Sequence, residues 1–287
     1  MSEKKKRIPE GRRLKTMNPM SMVEPFIMKN RIGASNTFKD QVDLENVEKY
    51  IHRKRREGLV GFGIMHVIVA AYVRAISQRP GANRFIRGQR VFARNGIQVM
   101  LDVKKEMTRE AENTCIKVNF EPSMTAEDVY RRMDEAIVAC RQSATEFDDT
   151  AKFFRFIPRL LLKFVIWFIN MLDYFGLLPK SLIDVSPFHG SIFISSMGSL
   201  GIPAISHHLY DFGNLPVFCV FGAKRKAYEL QADGTVKECR YIDLSWTLDE
   251  RICDGFYFAS ALKLFWSYMK NPDVLDQPPE TVVEDIR

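Results

Sequence analysis

Thr247-Leu248-Asp249-Glu250-Arg251-Ile252-Cys253-Asp254-Gly255 separates two patterns of different period. Before it, Ile242, Leu244, Trp246 and Leu248 are apolar, while Asp243, Ser245 and Thr247 are polar. Successive side chains of a strand point to opposite faces, so this alternation predicts a half-buried strand. After it, Phe258, Ala261, Leu262, Phe265 and Met269 recur at helical spacing and predict a helix with one apolar stripe. The charged residues Asp249, Glu250, Arg251 and Asp254 therefore stand on a strand-to-helix junction. Such junctions hold functional side chains on rigid supports.

Working back from the junction, Asp233-Gly234 marks a hairpin turn. Residues 216–221 form a continuous apolar run, as in a strand buried on both faces, and 191–196 predict another strand. Thr125 with Asp128 makes a capping box for a helix whose apolar face is Val129, Met133, Ala136, Ile137 and Cys140. Residues 114–120 are rich in β-branched side chains and predict a strand. Residues 85–105 read as strand, turn, strand around Gly88 and Asn95-Gly96. Residues 59–76 are apolar nearly all round, which predicts a buried helix; its His66 is expected to be a packed core residue. Asp43 caps a predicted helix through Val47, Tyr50 and Ile51, and residues 23–31 suggest a short strand. Strands and helices mix without strict β-α-β alternation, so the expected class is α/β with a mixed sheet.

The chain has 287 residues and a net charge of +7, with Lys4, Lys5, Lys6, Arg7, Arg12, Arg13 and Lys15 crowded at its start. A second basic run is His52, Arg53, Lys54, Arg55 and Arg56. Neither comes with a nucleic-acid-binding signature, so no nucleic-acid partner is expected and the basic start reads as an arm over residues 1–18. The main domain is expected over 19–275 and a tail over 276–287. Cys115, Cys140, Cys219, Cys239 and Cys253 are scattered with no Cys-x-x-Cys pair, so neither a metal site nor a disulfide framework is expected. Reduced thiols and the lack of an apolar leader point to the cytoplasm.

Residues 153–178 are unusually aromatic and apolar, running from Phe153 through Phe164, Trp167 and Phe168 to Leu178. Arg155, Arg159, Lys163 and Asp173 interrupt them, and nine residues separate the last two, against roughly 20 needed to cross a bilayer. The segment is therefore expected to be a helical insertion at about 150–180. It would pack on its own domain or a neighbouring subunit, or else lie in a membrane interface with its cations outward.

Several segments together resemble the chloramphenicol acetyltransferase-like fold, and most closely the catalytic domain of the 2-oxoacid dehydrogenase (dihydrolipoamide) acyltransferases. Residues 190–201, Gly-Ser-Ile-Phe-Ile-Ser-Ser-Met-Gly-Ser-Leu-Gly, are similar to that family's Gly-x-Phe-Thr-Ile-Ser-(Ser/Asn)-Leu-Gly-x-x-Gly strand and turn. Residues 216–223 resemble its next buried strand, residues 249–255 its Asp-His-Arg-x-x-Asp-Gly signature, and Asn271-Pro272 the close of its last helix. The resemblance implies a mixed-sheet sandwich with helices, a homotrimer, and a channel between subunits that admits coenzyme A or acyl-CoA. It implies that Ser195 steadies the tetrahedral oxyanion and that Asp254 anchors an arginine, with Arg12 or Arg13 as candidates. Ser196, Gly198 and Gly201 fall on the cofactor-binding turn. No lipoyl domain accompanies the segment, which looks like a stand-alone relative.

One position departs from the pattern. Glu250 stands where the family has its catalytic histidine. A thiol with a pKa of about 8.5 needs a base near neutrality, and an ordinary glutamate at about 4.3 is a poor one unless burial raises it. Glu250 is thus either an unusual base or the mark of lost acyl transfer. His208, beside His207, is the imidazole that could act from another element; His189 has no supporting motif, and Cys253 has no adjacent histidine to activate it. The expected functions are a coenzyme A-dependent acyltransferase with altered or lost catalysis, a non-catalytic trimeric binding or assembly protein, or a membrane-surface acyltransferase with a small or lipid-like acceptor.

Overall fold

The computed structural model describes residues 8–104, 113–142 and 157–287. The first half runs β1 (Gly11–Arg13), α1 (Pro19–Ile27), β2 (Ser35–Asp43), α2 (Glu45–Arg56), α3 (Ile64–Gln78), β3 (Phe85–Arg87), β4 (Arg90–Arg94), β5 (Ile97–Lys104), β6 (Asn113–Phe120) and α4 (Ala126–Gln142). The second half runs α5 (Arg159–Tyr174), α6 (Lys180–Val185), β7 (Ile192–Ser196), β8 (Val217–Phe221), β9 (Arg225–Leu230), β10 (Val236–Asp249) and α7 (Gly255–Lys270).

A seven-stranded sheet carries the molecule, in the order β2-β10-β8-β7-β5-β6, with β9 paired to β10. β7 runs parallel to β5 and β8, and the other pairs are antiparallel, so the sheet is mixed as expected. A separate three-stranded sheet is ordered β1-β4-β3.

Strand parity sets the two faces of the large sheet. Ile242, Leu244, Trp246 and Leu248 of β10 lie with Ile192, Ile194, Val99 and Leu101 against α2, α3, α4 and α7 in the main core. Phe258, Ala261, Leu262, Phe265 and Met269 are the buried stripe of α7, the same residues that set its helical period. The opposite face carries a smaller core of Met100, Phe193, Phe218 and Val220, covered by Leu209 and Leu215.

Residues 23–31 were expected to be a strand and are instead largely α1. Asn18 Oδ1 accepts the Met20 N–H at 2.9 Å, and Pro19 occupies the first turn, where its missing N–H has no partner to lose. α3 starts at Ile64, later than its apolar run suggests. The chain turns at Leu59–Phe62, and His66 Nδ1 accepts the Gly63 N–H at 3.0 Å across the first turn of the helix. The Thr125–Asp128 capping box forms reciprocally, with N···O distances of 2.9 and 3.3 Å.

The first described strand and the C-terminal tail both join the body. Gly11–Arg13 pairs with β4, and Arg12 donates to the carbonyls of Asp285 and Ile286. Arg84 grips Asp285 at 2.5 and 2.7 Å, and Val283 N donates to Ser77 O at 2.9 Å. α5 forms most of the aromatic segment and has no buried residue. Phe153, Phe154, Arg155 and Phe156 lie outside the described residues. Among the described residues no helix is long and apolar enough to cross a membrane.

Candidate functional site

The strand-to-helix junction is held by buried charge. Asp249, 1% exposed, ends β10 and accepts from Arg251 Nε at 2.8 Å and Nη2 at 2.7 Å. Arg251 Nη1 reaches on to the Met28 carbonyl at 3.1 Å, just past α1. Arg31 places Nε 3.8 Å from Asp249 Oδ2 and spends its other donors on the carbonyls of Tyr210, Asp211, Phe212 and Gly213. Burial dominates its environment and pulls the Arg31 guanidinium down to about 10, still charged at neutral pH. One ion cluster thus ties together β10, α1 and the loop before β8.

The consequence is that Glu250 points outward. It is exposed, and its N–H donates to the Ala34 carbonyl at 2.9 Å. Glu24 of α1 lies near it. Burial, then the charges of Glu250 and Asp254, push the Glu24 carboxyl above its usual range. Asp254 is exposed as well, and its Oδ1 accepts the Tyr257 N–H at 2.7 Å as the N-cap of α7. The arginine-anchoring role that the resemblance assigns to Asp254 is performed in the structure by Asp249, and Arg12 is engaged at the C-terminus. Cys253 is buried and its thiol is driven upward by desolvation, so it is a poor nucleophile.

Ser195 lies on the second face of the sheet, 6% exposed. Its Oγ donates to Asp102 Oδ2 at 3.2 Å, across the β5–β7 pairing, and Cys115 Sγ donates to Asp102 Oδ1 at 3.2 Å. Val220 is level with both Ser195 and Ser245, and Asp249 is four residues beyond Ser245. Two strand spacings sideways and four residues along put Asp249 roughly 16 Å from Ser195. Glu250 and Ser195 therefore do not meet within one chain.

Ser196 and the turn after it stay near the edge of this face. Gly198–Leu200 is a single 3-10 turn closed by Gly201 at φ 71°, and Met197 N donates to Phe221 O at 2.9 Å. His207 stacks on Phe218 with ring centroids 3.9 Å apart, and its Nδ1 is 2.7 Å from the His208 carbonyl. His208 is exposed and stacks on His207 at 4.8 Å. The imidazole nearest the Ser195 face is thus His207, seated in an aromatic stack.

A second polar cluster was not legible in the sequence. Glu10 pairs with Arg87 and Arg94 and accepts from Asn214 Nδ2 at 2.9 Å. Arg87 also holds Asp173 of α5 at 2.8 Å, and His189 Nε2 lies 3.4 Å from the other Asp173 oxygen. Burial would raise Asp173, but His189, Arg87 and Arg31 outweigh it and leave the carboxyl below its ordinary range. Burial wins at His189, which is lowered and stays neutral at physiological pH. Among the described residues no group of His, Cys, Asp and Glu is arranged to hold a metal ion.

Asp102 and Arg31 are the residues that motif reasoning missed. Asp102 is a lone carboxylate in an apolar strand, a signal that parity alone exposes once β5 is known to pair with β7. Arg31 carries no local signal at all.

No family model matches this chain, and no curated protein does. The solved structures supply the likeness. A probable dihydrolipoamide acetyltransferase from Listeria monocytogenes is similar with a TM-score of 0.57, 13% identity, and coverage of 89% of this chain and 93% of that one. A truncated catalytic core of the 2-oxoacid dehydrogenase multienzyme complex from Thermoplasma acidophilum follows at 0.54, 11% identity, with coverage of 91% and 99%. A chloramphenicol acetyltransferase matches at 0.53 and 11% identity over 90% and 99%. The chain has the chloramphenicol acetyltransferase-like fold that these acyltransferase cores share.

Proposed function

We propose that this chain is an acyl-coenzyme A-binding member of the acyltransferase scaffold whose thiol-base chemistry is altered. One observation carries the reading: the Ser195 hydroxyl donates to Asp102. An oxyanion is stabilised by a preplaced donor free to face it. Here that donor is committed to a carboxylate, and the carboxylate's own charge would oppose a second negative oxygen beside it. Glu250 at the histidine position weakens the base at the same time.

Assembly supports the same reading. Glu250 lies near Glu24 of α1, and α1 and the start of α7 expose the apolar side chains Val23, Phe26, Ile27 and Phe256. An apolar patch around a polar site marks an interface, so a homotrimer would cover this face and could bring one chain's Glu250 toward another's Ser195. A second reading, a membrane-surface acyltransferase with a lipid-like acceptor, draws on α5. That helix exposes Leu160, Phe164 and Trp167 beside Arg159 and Lys163. Co-sedimentation with anionic vesicles at low salt is required by it, and no sedimentation at low salt refutes it.

The test is calorimetry with coenzyme A and acetyl-coenzyme A, together with an acetyl-transfer assay on a small thiol. Binding is expected, with turnover far below the ~1 s⁻¹ floor of ordinary enzymes. The double substitution Glu250→His with Asp102→Ala is expected to raise transfer at least tenfold. No binding at millimolar ligand overturns the reading. So does ordinary turnover in the wild type that Glu250→Gln abolishes.

A further inference from the structure

α5 and α6 roof a second cavity of about 900 Å³, within the range of about 300–1,000 Å³ typical of small-molecule sites. Its walls are Ile166 and Ile169 of α5, Leu178, Leu182 and Val185 around α6, and Phe188. The polar part of its lining is Asn170, Ser186, His189, Tyr210 and Asp211. A mainly apolar cavity with a few polar groups in its lining is the form of a site for a chain with a polar head.

One hydrogen bond orients the His189 imidazole among the polar groups. Asp173 lies below its ordinary range and is ionised, so it only accepts. His189 Nε2–H faces that carboxylate at 3.4 Å but makes no hydrogen bond with it, and Nδ1 is left as an acceptor. The Ser186 hydroxyl lies 2.8 Å from that Nδ1 and donates to it. One of its two lone pairs accepts the Phe188 N–H at 3.3 Å. These contacts hold the hydroxyl in one place and leave the His189 Nε2–H without a partner.

Charge selects the head group. The carboxylates of Glu10, Asp173 and Asp249 are paired with the guanidiniums of Arg31, Arg87, Arg94 and Arg251, and Asp211 Oδ1 accepts the Arg31 backbone N–H at 3.1 Å. Lys117 is turned to the Ile183 carbonyl at 2.6 Å, and burial lowers it to about 7. No described cation lines the cavity for an anionic head. A neutral carbonyl fits, and a free carboxylate would add an unbalanced charge beside Asp173 and Asp211.

We infer that this cavity binds a medium- to long-chain acyl group as its ester or thioester, the chain between α5 and α6 and the carbonyl at the unpartnered His189 Nε2–H. This deepens the acyl-binding reading and rests on it for the class of ligand alone. Tyr210 forms the wall toward the Ser195 face. Its ring lies 6.5 Å from that of Phe218 and packs on the small core of that face, so the two sites are neighbours.

The experiment uses the full chain and N-acetylcysteamine thioesters, which carry no nucleotide, with acetyl, octanoyl and dodecanoyl groups. Calorimetry is expected to show dodecanoyl binding at least 100-fold tighter than acetyl, because each buried methylene adds to affinity. Sodium dodecanoate is expected to bind at least tenfold more weakly than the dodecanoyl thioester. Ile169→Trp and Leu182→Trp fill the cavity from opposite walls, and at least one is expected to fold and lose the chain-length preference. Ser186→Ala removes the hydroxyl that orients the His189 ring and is expected to weaken every thioester by about fivefold. Equal affinity for all three chain lengths in the wild type overturns the inference, as does a preference that survives in both folded tryptophan variants. Tighter binding of the free carboxylate overturns the charge argument. A chain that binds dodecanoyl thioester but not coenzyme A keeps this cavity and loses the coenzyme A reading; the converse separates them the other way.

Discussion

Asp249→Asn is the substitution that weighs the junction most directly. The carboxylate is 1% exposed and takes two charged hydrogen bonds from Arg251, with Arg31 at 3.8 Å. Asparagine keeps the volume and one acceptor, but leaves Arg251 charged, 4% exposed and short of a partner. Removing one member of a buried ion pair costs about 3–5 kcal/mol, mostly as the desolvation of the orphaned charge. Arg31 softens the loss little, since the loop carbonyls already hold it. At about 2 °C per kcal/mol for a chain of this size, Tm should fall by about 6–10 °C. Asp254→Ala is the control. It removes an exposed N-cap worth about 1 kcal/mol, hence about 2 °C. Scanning calorimetry of both variants decides the matter. If Asp254→Ala is the more damaging, the anchor has been assigned to the wrong aspartate.

Other expectations rest on separate contacts. Gly213 has φ 81° and a Cβ there would strike the Phe188 carbonyl, so Gly213→Ala should cost about 1–3 kcal/mol in urea denaturation; an unchanged midpoint contradicts the local geometry. His66 is lowered by burial to about 4, so the unfolded chain binds the extra proton between pH 6.5 and 4. Stability should fall as pH drops through that window, and less steeply in His66→Gln; parallel pH profiles would dismiss the assignment. Lys117 is lowered by burial to about 7, so its protonation favours the unfolded chain between pH 7 and 10.5. Stability from this group should rise with pH over that interval, and Lys117→Met should flatten the rise. Asp173→Asn removes the charge that ties α5 to Arg87 and His189. Hydrogen exchange should quicken in α5 while β7 and β8 keep their protection, and uniform protection across both would show that α5 is held by other means.

Much of the scaffold was readable in order along the chain. The alternation from Ile242 to Leu248 marks β10, the stripe from Phe258 to Met269 marks α7, and Thr125 with Asp128 marks the start of α4. These signals are local because burial of one face imposes a period, and a period is visible without knowing the partner. The resemblance of residues 190–201 and 249–255 to an acyltransferase pattern carried the fold itself. α1 was misread because Asn18 and Pro19 outweigh the short apolar run that follows them.

The partners of the charged groups were settled only by the tertiary structure. Asp249 and Asp254 look equivalent in the sequence, each an aspartate close to Arg251. Sheet order buries the first beside Arg31 and leaves the second at the open start of α7. Asp102 faces Ser195 because β5 lies parallel to β7 in one register, and a shift of a single residue would turn it to the helical face. Asp173, His189 and Ser186 gather at one cavity because α5 docks where Arg87 and Glu10 wait. Burial has a period, so the sequence displays it. The pairing of buried charges depends on which distant strands and loops become neighbours, and no local pattern encodes that.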